Sequence, residues 1–254
     1  MFINSTIQDN IIRNNISCYV KNYVSSTNDY LNFGYIRDQS PIIILANNQR
    51  SPRGRRGKKW INFQGMSLGF SLCLKFNTSP KKFCVLSHLV GLSIIESCRI
   101  LGNKSLKIKW PNDIMQGEKK VCGTLIENLI VSENAFYSII GFGFNISIPD
   151  DLIDFIDGSP GNLNIIKKNI DLIPSTTASI LIKNISFFEK NGFTNYKDKW
   201  NENMYGKSKK ISLISNGQKY VGKLLGINKT GELEIETDDE IVNVSDINYS
   251  MRIL

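Results

Sequence analysis

The sequence predicts an α+β protein, a mixed sheet with flanking helices, followed by a small C-terminal β-barrel. Three observations carry that reading. Strand-like and helix-like periods are interleaved through the first 205 residues without a regular strand-helix-strand rhythm, which argues against a doubly wound parallel sheet. Two long segments carry apolar residues at helical spacing. Beyond Tyr205 short alternating segments are separated by turn-forming stretches, the texture of successive hairpins. The domains so drawn run over residues 1–205 and 206–254.

The elements follow in order. "SPIIILAN" is a short apolar run bounded by Pro41 and the pair Asn47 and Asn48, and reads as a buried strand. "GMSLGFSLCLKF" sets Leu68, Phe70, Leu72, Leu74 and Phe76 against small or polar residues, the period of a half-buried strand. In "KKFCVLSHLVGLSIIESCRILG", Val85, Leu86, Leu89, Val90, Ile94, Cys98 and Leu101 recur at helical spacing, and Gly102 ends the pattern. "LKIKWPND" is a strand entering a turn at Pro111, "KVCGTLIENLIV" is another strand, and "FYSIIGFGFNIS" is a third that carries Gly141 and Gly143. The second long helix is "STTASILIKNISFFEKNG", with Ser175 or Thr176 as its N-cap and Gly192 as its stop. In the last fifty or so residues, "SNGQ", "GINKTGE" and "TDDE" are the turns between hairpin strands.

Composition excludes several classes. With 254 residues, 41% of them apolar, the chain can bury a substantial core. Five cysteines form an odd set without CxxC spacing and read as reduced thiols in a reducing compartment, with cytoplasm as the default. No basic flank followed by an apolar run opens the chain, and nowhere do 18 apolar residues stand together, so neither secretion nor a membrane partner is supported. The single histidine, His88, excludes sites built on two imidazoles and reads as a structural residue on a helix. The net charge of +8 suggests a polyanionic partner, but the stretch Gly231–Asp246 holds seven acids and no base. A uniform nucleic-acid-binding face is therefore not expected.

Much of the charge is local. "NNQRSPRGRRGKKW" gathers Arg50, Arg53, Arg55, Arg56, Lys58 and Lys59 around Gly54 and Gly57 with no acid among them. Glycines let main-chain N-H groups turn towards an anion, and arginines grip phosphate or carboxylate oxygens in pairs. The segment is neither a Walker loop nor a GxGxxG turn, and a merely solvated basic loop is the competing reading. Trp60 offers a flat ring for stacking, or belongs to the core. A second segment, "KWPNDIMQGEKKVCG", places Lys109, Asn112, Asp113, Lys119 and Lys120 around a proline turn. Lys120 opens an apolar strand, where partial desolvation strengthens its field on an anion; Lys119 reads better as solvated.

"STNDYL" at Ser26–Leu31, Gln49 with "RGRRGKKW", "KWPND", "KVCG" and "GFGFN" occur in an order and spacing that resemble the biotin protein ligases. The resemblance runs from about Ser25 to the C-terminus and takes in "YKDKW" and "GINKTGELEIE". One departure is Pro52, where the family usually carries glycine; proline fixes φ and removes an N-H.

The resemblance implies a class II synthetase-like mixed sheet with an SH3-like C-terminal barrel, and a two-step, ATP-dependent ligation. Biotin and ATP would give biotinyl-5'-adenylate, and a lysine of a biotin carboxyl carrier domain of a biotin-dependent carboxylase would then take the biotin. Ser26, Thr27, Asn28 and Gln49 would bind the ureido ring. Arg53, Gly54 and Arg55 would wrap the carboxyl and phosphate with Arg56 nearby, and Trp60 would close over the nucleotide. Lys120 would bridge carboxylate and α-phosphate, Asn112 and Asn145 would contact the adenylate, and Gly123, Gly141 and Gly143 would let ligands lie on bare backbone. Lys120, Arg55 and Asp113 are the catalytic candidates, with Asp113 open between acting on the acceptor lysine, contacting magnesium and bracing the turn. No residue is assigned to a resident metal; Mg2+ is expected with ATP. With so few residues before "STNDYL", the expectation is the monofunctional type without a DNA-binding domain, as monomer or homodimer. Lipoate or octanoate ligases and transferases of related fold, and a basic nucleic-acid-binding module, are the alternatives.

Overall fold

The structure is a computed structural model and describes residues 5–33, 38–153, 159–215, 218–245 and 248–254. Helix α1 (Ser5–Ile12) leads into β1 (Ser17–Val24), α2 (Thr27–Phe33), β2 (Ile42–Gln49) and β3 (Ser67–Phe76). Then come α3 (Leu86–Ile100), β4 (Leu106–Lys109), β5 (Asp113–Gln116), β6 (Lys119–Ser132), β7 (Ala135–Asn145) and the short α4 (Asp150–Ile153). Helices α5 (Ile173–Asn191) and α6 (Thr194–Glu202) precede β8 (Lys210–Ser215), β9 (Gln218–Ile227), β10 (Leu233–Glu236), β11 (Ile241–Val244) and β12 (Ser250–Ile253).

Strands β1 to β7 form one sheet in the order β1-β2-β3-β7-β6-β5-β4. Only β1 and β2 run parallel, because α2 provides the crossover; the other pairs are antiparallel. The sheet is mixed, as the sequence predicts. Alternation along β3 sends Leu68, Phe70, Leu72, Leu74 and Phe76 to the face covered by α3 and α5, where Phe70 stacks on Phe142 at 4.6 Å. The opposite face carries Gly69, Ser71 and Cys73. Each buried leucine or phenylalanine contributes about 1.5–3 kcal/mol relative to exposure, so this pattern alone fixes which face turns inward. Helix α2 covers part of the second face over Ile42, Ile44 and Cys73.

The second long helix differs from its expected start. It begins at Ile173, after a 3-10 turn over Lys167–Leu172, with Pro174 in its first turn. Ser175 is therefore not the cap; its hydroxyl donates to the Leu172 carbonyl at 3.1 Å. The proline, whose missing N-H costs nothing there, sets the start instead. Gly192 ends the helix at φ 73 as expected, and Gly102 ends α3 at φ 106. His88 is buried on α3 against Phe193 and Trp200, the structural role anticipated for it. Burial lowers its pKa to about 4.

Strands β8 to β12 make a five-stranded antiparallel sheet in the order β11-β10-β9-β8-β12. Two of its expected turns are present: Asn228 Oδ1 accepts from the Thr230 and Glu232 N-H groups, and Thr237 closes on Glu240. Asn216 and Gly217 of "SNGQ", like Asp246 of the acidic stretch, lie outside the described residues. The two sheets share one apolar core, which runs through Trp200, Met204, Ile211 and Leu224. Helix α6 clasps the small sheet, with the Asn201 side chain bonding both N-H and C=O of Ile227. Among the described residues, no helix is long and apolar enough to cross a membrane.

Candidate active site

A cleft of about 1130 Å³ lies on the sheet face opposite α3 and α5. Its floor is a consequence of register. Gly143 on β7 pairs with Gly123 on β6, Gly141 lies two residues along β7, and all three line the cleft; Gly69, which pairs with Gly143 from β3, is covered by the Gln49 side chain instead. Two adjacent strands therefore present main chain where side chains would stand. The space is used closely: a Cβ on Gly143 would lie 2.5 Å from the Trp60 ring, and one on Gly141 2.6 Å from Asn28 Oδ1. Gly123, Gly141 and Gly143 are legible in the sequence; Gly69 is not, because it falls on a small-residue position of the alternating "SLGFSL".

At one end stand polar side chains that are almost wholly buried. Ser26, Thr27 and Asn28, at the entry to α2, are 5, 4 and 3% exposed. Gln49, at the end of β2, accepts from the Thr27 N-H at 2.9 Å. Ser71, fully buried on β3, contacts Thr27 Oγ1 at 2.7 Å and Asn28 Oδ1 at 2.6 Å. Asn28 Nδ2 donates to Glu127 on β6 at 2.7 Å. Buried polar groups are costly unless satisfied, so this network holds its members in fixed rotamers. Ser71 and Glu127 were not foreseen: nothing local marks them, and only the sheet register brings them to Asn28.

The other end is cationic. Lys120 Nζ lies 2.6 Å from Asp113 Oδ1 and 5.3 Å from the centre of the Trp60 ring, directly over Gly123. The Trp110-Pro111 peptide is cis, and the turn at Pro111 carries Asn112 and Asp113 from β4 to β5. Asn112 donates to the Thr124 carbonyl at 2.8 Å and accepts from Arg55 at 2.8 Å. Asn145 donates to the Lys120 carbonyl at 3.2 Å. Lys109 has its pKa lowered, first by burial and then by the charges of Lys120 and Arg252, while Asp113 opposes the shift. Lys209, just before β8, and Ser250 and Arg252 on β12 complete this wall, a contribution that no sequence spacing announces.

The basic loop joins the two ends. Arg53 reaches the polar end, where its guanidinium meets Asp29 at 2.6 Å and Glu127 at 3.1 Å. Arg55 points to the cationic end, and Arg56, at φ 58, donates to Ser250 Oγ at 3.1 Å. At Pro52 the carbonyl accepts from the Trp60 N-H at 3.0 Å, and the Gly54 N-H donates to the Lys58 carbonyl at 2.7 Å. Trp60 lies on Gly143 and Gly123, so the loop closes onto the floor. The residues to which the resemblance gives a role all line this one cleft, whereas Arg50, Gly57 and Lys119 of the two basic segments do not. Chemically, the arrangement offers hydrogen bonds to a polar group at one end and positive charge to an anion at the other.

Residues 20–145 match the biotin/lipoate A/B protein ligase family. The bifunctional ligase/repressor BirA of Escherichia coli is 28% identical over 222 residues, which span 85% of this chain and 68% of that protein. A biotin--[acetyl-CoA-carboxylase] ligase of Paracoccus denitrificans is 29% identical over 106 residues, 41% of this chain and 44% of its own. Among solved structures, the biotin protein ligase of Aquifex aeolicus in complex with biotin and ATP superposes with a TM-score of 0.78 at 27% identity, covering 94% of this chain and 99% of that one. Fold, site and sequence thus agree, and residues 20–145 form a biotin/lipoate A/B protein ligase family domain.

Proposed function

We propose that this cleft joins biotin to ATP and then passes the biotin to a lysine of a carrier domain. The observation that carries this reading is the pairing of a buried hydrogen-bonding end with a Lys120-centred cationic end over one bare-backbone floor. In the first step a biotin carboxylate oxygen bonds to the α-phosphorus of ATP and pyrophosphate departs. In the second, the acceptor amine bonds to the acyl carbon, the acyl C–O bond breaks, AMP leaves and the amine loses a proton. Adenylation is needed because an amine does not expel oxide from a carboxylate.

This chemistry asks for positioning and charge neutralisation rather than a covalent nucleophile. Ser26, Thr27, Asn28 and Gln49 bind the ureido ring. Lys120 lies between the acyl and phosphate positions and stabilises the charge of the transition state, while Asp113 holds its ammonium in place beforehand. Arg55, Arg56, Asn112 and Asn145 contact the adenylate, Arg53 secures the loop as well as the acyl end, and Trp60 packs over the ligands. Mg2+ would come with ATP, and Asp113, the carboxylate beside Lys120, would be the residue to hold it and help neutralise the phosphate charge. Gly123, Gly141 and Gly143 admit the ligands to the main chain. Division into a catalytic unit (1–205) and a C-terminal unit (206–254) is part of the proposal. The acceptor is a biotin carboxyl carrier domain. Lipoate or octanoate fits less well, because a hydrocarbon or dithiolane leaves the buried polar end unpaired.

Exchange of labelled pyrophosphate into ATP tests this, with biotin, octanoate, lipoate or no acid. Exchange depends on biotin and falls about a hundredfold or more in Lys120→Ala, the scale of losing one preorganised transition-state contact. Exchange with octanoate or lipoate alone would assign a different acyl substrate.

A further inference from the structure

Asn28 is held at both ends by side chains that line neither the loop nor the phosphate end. Its Nδ2 donates to Glu127 Oε2 at 2.7 Å. A carboxylate only accepts, so the amide nitrogen must face Glu127 and the amide oxygen must face Ser71, 2.6 Å away. The single proton of Ser71 is thereby committed to Asn28 Oδ1. Thr27 Oγ1, 2.7 Å from Ser71 Oγ, must then supply the proton of that second contact. One polarity runs through the chain: Thr27 donates to Ser71, Ser71 to Asn28, Asn28 to Glu127. Gln49 Oε1, 3.2 Å from Thr27 Oγ1, takes its proton from the Thr27 N-H instead.

We propose that Ser71 is a positioning residue that sets the specificity of the acyl end; this rests on the assignment of biotin to that end. By fixing the direction of both hydroxyl protons, it leaves Thr27 Oγ1 and Asn28 Oδ1 with lone pairs facing the cleft and leaves the Gln49 amide N-H group as the donor. Two acceptors and a donor match a cyclic urea, which offers two N-H groups and one carbonyl. Ser71 sits opposite Gly141 on the neighbouring strand, and Asn28 Oδ1 fills the space over that glycine, 2.6 Å from where a Cβ would stand. With alanine there, the Thr27 proton is free to turn to Gln49 Oε1, and Asn28 Oδ1 loses its fixed partner.

The test is steady-state pyrophosphate exchange with Ser71→Ala, Ser71→Thr, Asn28→Ala and the double variant Ser71→Ala/Asn28→Ala, with melting temperatures for each. Ser71→Ala raises KM for biotin about tenfold, the scale of one unmade bond to a buried polar partner, and changes kcat and KM for ATP by less than about twofold. Ser71→Thr, which keeps the hydroxyl, stays within about threefold of wild type, and Ser71→Ala adds less than about twofold once Asn28 is alanine. Equal losses in all three parameters, or the same loss with and without Asn28, would overturn the proposal, because a packing defect behaves that way. If Asn28→Ala raises KM for biotin and Ser71→Ala does not, the proposal fails while the site assignment stands. If neither raises it, the assignment of biotin to this end fails with it. Should Ser71→Ala not fold, Ser71→Cys, close in volume and a poor donor, takes its place with the same expected split.

Discussion

At the scale of single residues, the floor of the cleft makes the sharpest demand. A methyl group on Gly143 would stand 2.5 Å from Trp60 Cε2 and 2.7 Å from Cζ2, so Gly143→Ala has to push the indole off the floor. The expected result is a folded protein, destabilised by about 1–3 kcal/mol from overpacking, whose biotin-dependent exchange falls by about a hundredfold from misplacement near the reacting atoms. Thermal melting and exchange kinetics on the same sample separate the two effects. Gly123, Gly141 and Gly143 were the most readable part of the site because each breaks the apolar run of its strand. Ser71 and Glu127 were unreadable for the opposite reason: a serine in an alternating strand and a glutamate in a long one are ordinary until register sets them beside Asn28.

At the scale of elements, the loop from Arg50 to Trp60 behaves as a strap fastened at three points: Arg53 to Asp29 and Glu127, Arg55 to Asn112, and Arg56 to Ser250. A basic loop of like charges repels itself, so its order depends on those partners and on anions. Arg53→Ala is expected to speed trypsin cleavage between Arg50 and Lys59 severalfold, and biotin plus ATP to slow cleavage in the wild type; a mass-resolved time course reads both. Unchanged cleavage with ligands would show that the strap does not respond to them. Strands β2, β3, β6 and β7 and helices α3 and α5 were legible from periodicity. The start of α5 was not, because a proline inside the first turn outranks two plausible caps. Strand β1 and helix α1 carried no reading either: "SCYVKNYV" mixes polar and apolar residues irregularly, as a half-covered edge strand does.

At the scale of the whole molecule, the two sheets meet at α3 and α6, and His88 sits in that seam against Phe193, Trp200 and the Gly231 main chain. Desolvation outweighs the main-chain carbonyls of Val85 and Gly231 and lowers its pKa from 6.5 to about 4. The unfolded chain therefore binds a proton below pH 6.5 that the folded chain refuses until about pH 4. Stability is complete above that window and declines as pH falls through it, by up to about 3 kcal/mol. Urea midpoints at pH 7 and 4.5 should differ more in wild type than in His88→Gln; equal differences would remove His88 as the cause. Sequence reading located the histidine on a helix. That its ring closes the junction between the sheets depends on the turn at Gly231, more than a hundred residues away in the chain.

The bare floor also bears on inhibition. A compound that draws its affinity from Gly123, Gly141 and Gly143 meets main-chain atoms, which no point substitution deletes. Adding a side chain there would block the drug and the substrate alike, so resistance has to arise in the walls, at positions such as Trp60 or Gln49. Escape from a floor-binding inhibitor is thus tied to loss of the enzyme's own ligands.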